Sequence, residues 1–156
     1  MMILVSACLL GENCKYSGGN NANALLIDYL KDKEYISVCP EVMGGLPTPR
    51  ACCERVKDRV INNLGEDVTE AFIEGAKQTL AVAQANKCTL CILQVRSPSC
   101  GAGRIYDGTF SGRIIEGNGI TAQYLLDHGF NVISSEAFTE QLKSGKIDEE
   151  RLCKTL

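Results

Sequence analysis

Apolar and polar positions alternate in blocks along the 156-residue chain, and the blocks predict strands and helices in turn. Four short runs are almost wholly apolar: Ile3 to Ser6, Tyr35 to Val38, Thr89 to Val95 and Phe130 to Ile133. Runs without a polar face suit strands covered on both sides, as in a parallel sheet. Between them, apolar residues recur at helical spacing. Asn23 to Lys31 carries Leu25, Leu26, Tyr29 and Leu30 on one stripe. Asp67 to Asn86 is the clearest helix, and Asp67 followed by Glu70 has the spacing of a capping box. Gly119 to His128 is another helix, closed by Gly129. Glu136 to Lys143 is a short last one before Gly145. The charged tail, Lys146 to Leu156, adds one more turn or frays.

Strands alternating with helices imply βαβ units, parallel pairing and right-handed crossovers. The predicted fold is one three-layer α/β domain over residues 1–156, with a mainly parallel, Rossmann-like sheet. Two segments, Pro40 to Asp58 and Ser97 to Asn118, lack periodicity and are rich in Gly and Pro. Unstructured stretches of that length in a compact domain are often functional loops.

Charge narrows the function. The formal net charge of −3 argues against a nucleic-acid polymer as partner, because phosphate binding needs a basic face. A small base or nucleotide is compatible with it. No run is long and apolar enough to span a membrane. The first residues, Met1 to Cys8, lack a basic n-region and read as a strand, so a cytoplasmic location is expected.

Nine cysteines are many for this length, and the count is odd. In a reducing compartment, metal binding or thiol chemistry explains them better than disulfides. Three of them follow predicted strands. Cys8 lies in Ser6-Ala7-Cys8-Leu9-Leu10-Gly11, Cys39 in Cys39-Pro40-Glu41, and Cys100 in Ser97-Pro98-Ser99-Cys100-Gly101. Ligands of open α/β sheets bind beyond the carboxyl ends of the strands, so these three converge at one edge. Thiolates gathered there need a positive centre between them, and soft sulfur favours zinc or an iron–sulfur cluster. Three protein ligands leave one position open, as catalytic sites do. The alternative is a structural zinc held by Cys8, Cys14, Cys39 and Cys100, or a carrier that binds a cluster or sulfide without turnover.

Other residues are read more plainly. Cys14 is a fourth ligand, a sulfur-handling thiol or a bystander. Cys88 and Cys91 form a C-x-x-C that enters a buried strand, which points to core packing. Cys52 and Cys53 belong to a loop or a first helical turn, and Cys153 to the tail. Cys53 and Arg59 have the spacing of a phosphatase loop without its glycines. Glu41 is a candidate general base beside a metal site. Ser97 and Ser99 are candidates to orient a substrate. Arg50, Arg104 and Arg113 meet an anionic group or are solvated surface residues. His128, the only histidine, sits at a helix C-terminus, where a structural role fits its charge.

These segments together resemble a known family. Ser6 to Gly11 with Cys14-Lys15-Tyr16 is similar to its first motif, Cys39 to Arg50 to its second, and Ser97 to Gly101 with Ile105 to Gly112 to its third. Asp67 to Phe72 and Gly75-Ala76 resemble the helix between them. The family is a small bacterial one, long carried as a domain of unknown function, that includes the thiouracil desulfidases. The resemblance implies a [4Fe-4S] cluster held by Cys8, Cys39 and Cys100 with one iron free. It implies Glu41 and Ser97 as catalytic partners, with Ser99 the alternative serine. The implied reaction is the non-redox removal of sulfur from a thiolated base, nucleoside or nucleotide, giving the oxo base and sulfide.

Overall fold

The computed structural model describes residues 1–145 and residue 147. The expected tail helix and Cys153 therefore lie outside the described residues.

The chain begins with β1 (Met2–Ser6), which runs into a 3-10 turn at Ala7–Leu10 closed by the left-handed Gly11. Helix α1 (Ala24–Leu30) follows, then β2 (Glu34–Val38) and a one-turn helix α2 (Pro40–Met43). A hairpin, β3 (Cys53–Val56) and β4 (Arg59–Asn62), precedes the long helix α3 (Thr69–Ala85). Strand β5 (Leu90–Leu93) leads to a second hairpin, β6 (Arg104–Tyr106) and β7 (Ile114–Glu116). Helix α4 (Ile120–Asp127), β8 (Val132–Ser134) and α5 (Ser135–Ser144) complete the order.

Four strands pair in the order β2-β1-β5-β8, all parallel. Side chains alternate across such a sheet. Ile3, Val5, Leu90 and Ile92 pack on one face with Leu26 and Leu30 of α1 and Phe138 of α5. Leu4, Cys91 and Leu93 pack on the other with Ala83 of α3 and Ala122 and Leu125 of α4. Helices thus cover both faces, which is why these strands carry so few polar residues. The predicted three-layer α/β fold is the one observed.

The crossover from β1 to β2 runs one way and the next, from β2 to β5, runs back past β1, so a crevice opens between the carboxyl ends of β1 and β5. The two hairpins stand over that end. Strand β3 and the whole β6–β7 hairpin fall in the segments that lack periodicity, and β4 follows directly after the first of them. Their strands have only three or four residues each, too short for period-2 alternation to register. The β3–β4 turn uses Lys57 at φ 56° rather than Asn-Gly, so the usual hairpin signal is missing.

Two smaller expectations are corrected. Asp67 does not form a capping box, because α3 begins beyond it with Val68 as N-cap. Its carboxylate instead accepts from the backbone and hydroxyl of Thr69 and pairs with Arg59 at 2.7 Å. Those hydrogen bonds hold Asp67 down to about 2. Phe130 is not part of β8. Its N–H caps the Leu125 carbonyl after the left-handed Gly129, so the strand starts two residues later.

Helix α2 is held against α3 through paired glycines. A Cβ on Gly75 would overlap the Pro40 carbonyl oxygen, and one on Gly44 would overlap that of Ala71. Gly75→Ala must push α2 away, and Cys39 and Glu41 travel with it. The expected result is a loss of about 1–3 kcal/mol in stability and a fall in metal loading, read by thermal unfolding and iron content. Full loading in Gly75→Ala would mean that the close crossing does not position the site.

Candidate metal centre

Cys8, Cys39 and Cys100 arrive at one cavity of about 550 Å³ from the ends of β1, β2 and β5. Cys8 is fixed by the 3-10 turn and accepts a hydrogen bond to sulfur from Asn21 Nδ2 at 3.4 Å. Cys39 is the N-cap residue of α2, with Pro40 pre-set for the first helical position. Cys100 closes a turn in which Ser97 Oγ accepts from the N–H groups of Ser99 (3.1 Å) and Cys100 (3.0 Å). That turn docks on the start of α4: the N–H groups of Ile120 and Thr121 donate to the carbonyls of Pro98 and Ser99. Ser6 joins the strands to the centre, because its hydroxyl accepts the Gln94 N–H and hydrogen-bonds the Cys100 thiol.

Electrostatics ties the three sulfurs together. Burial pushes the Cys8 thiol up, Asn21 pulls against it, and the charges of Cys39 and Glu41 push it further. Burial likewise pushes Cys100 up, with Ser6 opposing and Cys8, Glu41 and Cys39 adding to the rise. Cys8 and Cys100 each feel the charge of Cys39 and of Glu41, so forming thiolates here requires a positive partner. Cys14 lies beside Cys39 in the same cavity, and burial with the Cys39 charge takes it to about 12. Cys14 also supplies the carbonyl that accepts from Arg50 Nη2 at 2.8 Å.

The donor set can be tested against the two candidate centres. A single zinc needs its thiolates about 2.3 Å from one point. Among the described residues no three His, Cys, Asp or Glu side chains form a group that could hold a single ion. A four-iron cluster is several atoms across and takes ligands set further apart. Cys8, Cys39 and Cys100 around a single cavity fit that group.

Glu41 and Ser97 line the same cavity. Glu41 Oε1 meets Arg50 Nε at 3.2 Å, and the two side chains are only 17% and 4% exposed. Burial pushes the Glu41 carboxyl up, and the Arg50 guanidinium pulls it back down. Arg50 is therefore a buried partner of the site. It also donates to Pro47 O and Thr48 Oγ1, which fastens the second motif. Arg104 and Arg113 are exposed. Ser99 is fully buried and bonded to Thr121 Oγ1 at 2.9 Å, away from the cavity.

The remaining candidates fall where their chemistry places them. Cys88 and Cys91 are buried in the apolar cluster on one face of the sheet, as expected for core residues. Cys53 opens β3 rather than a loop or helix, and Cys52 and Cys53 both line the cavity. Burial takes Cys53 to about 12. His128 caps α4, with Nδ1 2.8 Å from the Tyr124 carbonyl. Asn21, Ser6 and Glu54 were not singled out from the sequence. The serine of Ser-x-Cys was the one signal that could have found Ser6; Asn21 and Glu54 contact the site only through the folded loops.

A parallel α/β sheet with a thiol-ringed cavity at its switch point defines a protein built to hold a metal–sulfur group. The chain belongs to the 2-thiouracil desulfurase family, whose model matches residues 3–137. A solved structure of a [4Fe-4S]-dependent thiouracil desulfidase, TudS, is 39% identical, with a TM-score of 0.84, covering 94% of this chain and 99% of that one. The uncharacterized protein YbbK of Bacillus subtilis (strain 168) is 40% identical over 151 residues, covering 90% of this chain and 100% of YbbK.

Proposed function

We infer that this protein is a [4Fe-4S]-dependent thiouracil desulfidase that removes sulfur from a thiolated nucleobase, or its nucleoside or nucleotide, without net redox. The observation that carries the reading is one cavity shared by Cys8, Cys39, Cys100, Glu41 and Ser97 in a chain of this family. Cys8, Cys39 and Cys100 are the residues that hold the cluster. When bound through three cysteines, the cluster supplies a soft, open metal position that polarises a thiocarbonyl.

The chain's own groups supply the rest. Glu41 takes a proton from water as the water oxygen bonds to the thiocarbonyl carbon and the C=S π pair moves onto sulfur; the C–S bond then breaks as the added hydroxyl loses its proton, giving the ring C=O and hydrosulfide. Sulfur is at the same oxidation level in the thione and in sulfide, so no electron donor is required. Arg50 occupies Glu41 Oε1 and fixes the carboxylate, which leaves the second oxygen to act as the base. Ser97 Oγ already accepts two N–H bonds, so its hydrogen is left to donate to the ring. Ser97 rather than Ser99 is the catalytic serine, since Ser99 is enclosed.

The described residues act as one domain, with a Rossmann-like winding of their sheet. A cytoplasmic setting suits eight free thiols among the described residues. None of the described helices is long and apolar enough to cross a membrane. The substrate is a small molecule, and the reading requires neither a membrane nor a nucleic-acid polymer as partner.

Anaerobic reconstitution, iron and sulfide counting, and a thiouracil assay without added reductant test the reading. Many turnovers with stoichiometric release of sulfide and uracil are expected. Arrest after one equivalent would identify a carrier, and colourless protein with stoichiometric zinc would identify a zinc protein.

A further inference from the structure

One wall of the cavity is not used by the metal ligands or by Glu41 and Ser97. The loop between β6 and β7 forms it. Asp107 N–H donates to the Arg113 carbonyl at the base of the loop, and the Asp107 carboxylate accepts from the N–H and hydroxyl of Thr109. Gly108 and Gly112 have φ of 94° and 81°, and Phe110 between them has φ 56°. A bulky residue in that region is uncommon and costs energy, so contacts outside the loop must hold it.

Glu54 on β3 provides them. Its side chain is buried, and Oε1 accepts from Gly108 N at 2.9 Å and Phe110 N at 3.1 Å. Gly108 lies so close to β3 that a Cβ there would overlap Val56. The ring so placed is not a core residue. Phe110 belongs to none of the described apolar clusters, is 38% exposed, and lines the cavity with Cys100 and Glu41. An aromatic ring held on a cavity wall, with its face unused by the core, offers a surface for a flat ring.

We propose that Phe110 is the platform on which the substrate's ring stacks, and that Glu54 is the positioning residue that holds it there. The proposal rests on the desulfidase reading and specifies its substrate as a planar, aromatic thione. Stacking accepts any flat π-face, so Phe110 selects the class of ring rather than the position of its sulfur.

The test uses anaerobically loaded enzyme, with thiouracil for turnover and uracil and dihydrouracil for equilibrium binding. Uracil has no sulfur, and dihydrouracil is puckered and not aromatic. Phe110→Ala is expected to raise the thiouracil KM and weaken uracil by about tenfold, with kcat and dihydrouracil affinity little changed. Phe110→Tyr restores uracil affinity, whereas Phe110→Leu, apolar but without a π-face, does not. Glu54→Ala reproduces the Phe110→Ala phenotype. Glu54→Gln rescues it, because the amide oxygen can accept the same two N–H groups. Unchanged uracil affinity in Phe110→Ala, or wild-type affinity in Phe110→Leu, would overturn the proposal. A wild-type enzyme that binds uracil in a Phe110-dependent way yet never turns over thiouracil would overturn the desulfidase reading instead.

Discussion

Cys8→Ser, Cys39→Ser and Cys100→Ser are each expected to abolish assembly of the iron–sulfur centre, while Cys88→Ser leaves it intact. A serine hydroxyl is a hard, weakly acidic donor and does not replace a thiolate on soft metal. The three sulfurs share one cavity, and those of Cys8 and Cys100 are pushed up by burial and by neighbouring negative charge. Metal binding must deprotonate them, so loading is coupled to the full set of ligands. Loss of any one leaves two thiols for a group that needs three anchors. Cys88 is as buried as Cys8 and Cys100 but packs with Leu4, Cys91 and Leu93, and does not line the cavity. Its serine variant should lose some thermal stability and no iron. Iron and sulfide content with visible absorbance after anaerobic reconstitution decides the matter. Equal content in all four variants would show that the ligands are wrongly assigned.

The contrast between these cysteines also shows what a sequence can carry. The convergence of Cys8, Cys39 and Cys100 on one cavity is legible because each follows an apolar run, and parallel strands deliver their ends to one edge. Cys88 and Cys91 were legible as core for the same reason: they enter the strand rather than leave it. Strand existence survived well, since an apolar run flanked by helical stripes has few other uses. Strand ends did not. Phe130 belongs to the helix cap because Gly129 turns the chain first, a choice made by backbone conformation and not by hydropathy.

The hairpins were invisible for a different reason. Strand β3 and the β6–β7 loop are held together by contacts distant in sequence: Glu54 reaches residues 54 and 56 positions further on. No local pattern encodes such a pairing. The same holds for Arg50. Its sequence leaves it either meeting an anionic group or solvated at the surface; the fold wraps the first motif against it through the Cys14 carbonyl and closes the second around Glu41. Gly44 and Gly75 illustrate the limit from the other side: both were visible as glycines, but their purpose depends on two helices meeting. What was legible, then, is chemistry delivered by regular elements. What was hidden is chemistry held in place by tertiary contacts.

Glu41→Gln is expected to retain the cluster and lose about two to three orders of magnitude in kcat, within the range general-base catalysis supplies. Glutamine has nearly the same shape, and its amide oxygen can still accept from Arg50. Arg50 keeps its bonds to Pro47 O, Thr48 Oγ1 and Cys14 O, so the second motif should stay in place. Cys39, two residues away on the N-cap of α2, is then undisturbed, and iron content should match the wild type. What the variant removes is the carboxylate's capacity to take a proton from water. KM should change little, because the carboxylate is not what binds the ring in this reading. Arg50→Ala separates position from charge: it leaves Glu41 ionisable in principle but loosens the carboxylate and the loop together, so both kcat and loading should fall. If Glu41→Gln turned over thiouracil at the wild-type rate with a full complement of iron, the proton must go elsewhere. Among the described residues that line the cavity, Ser97 would then be the next group to examine.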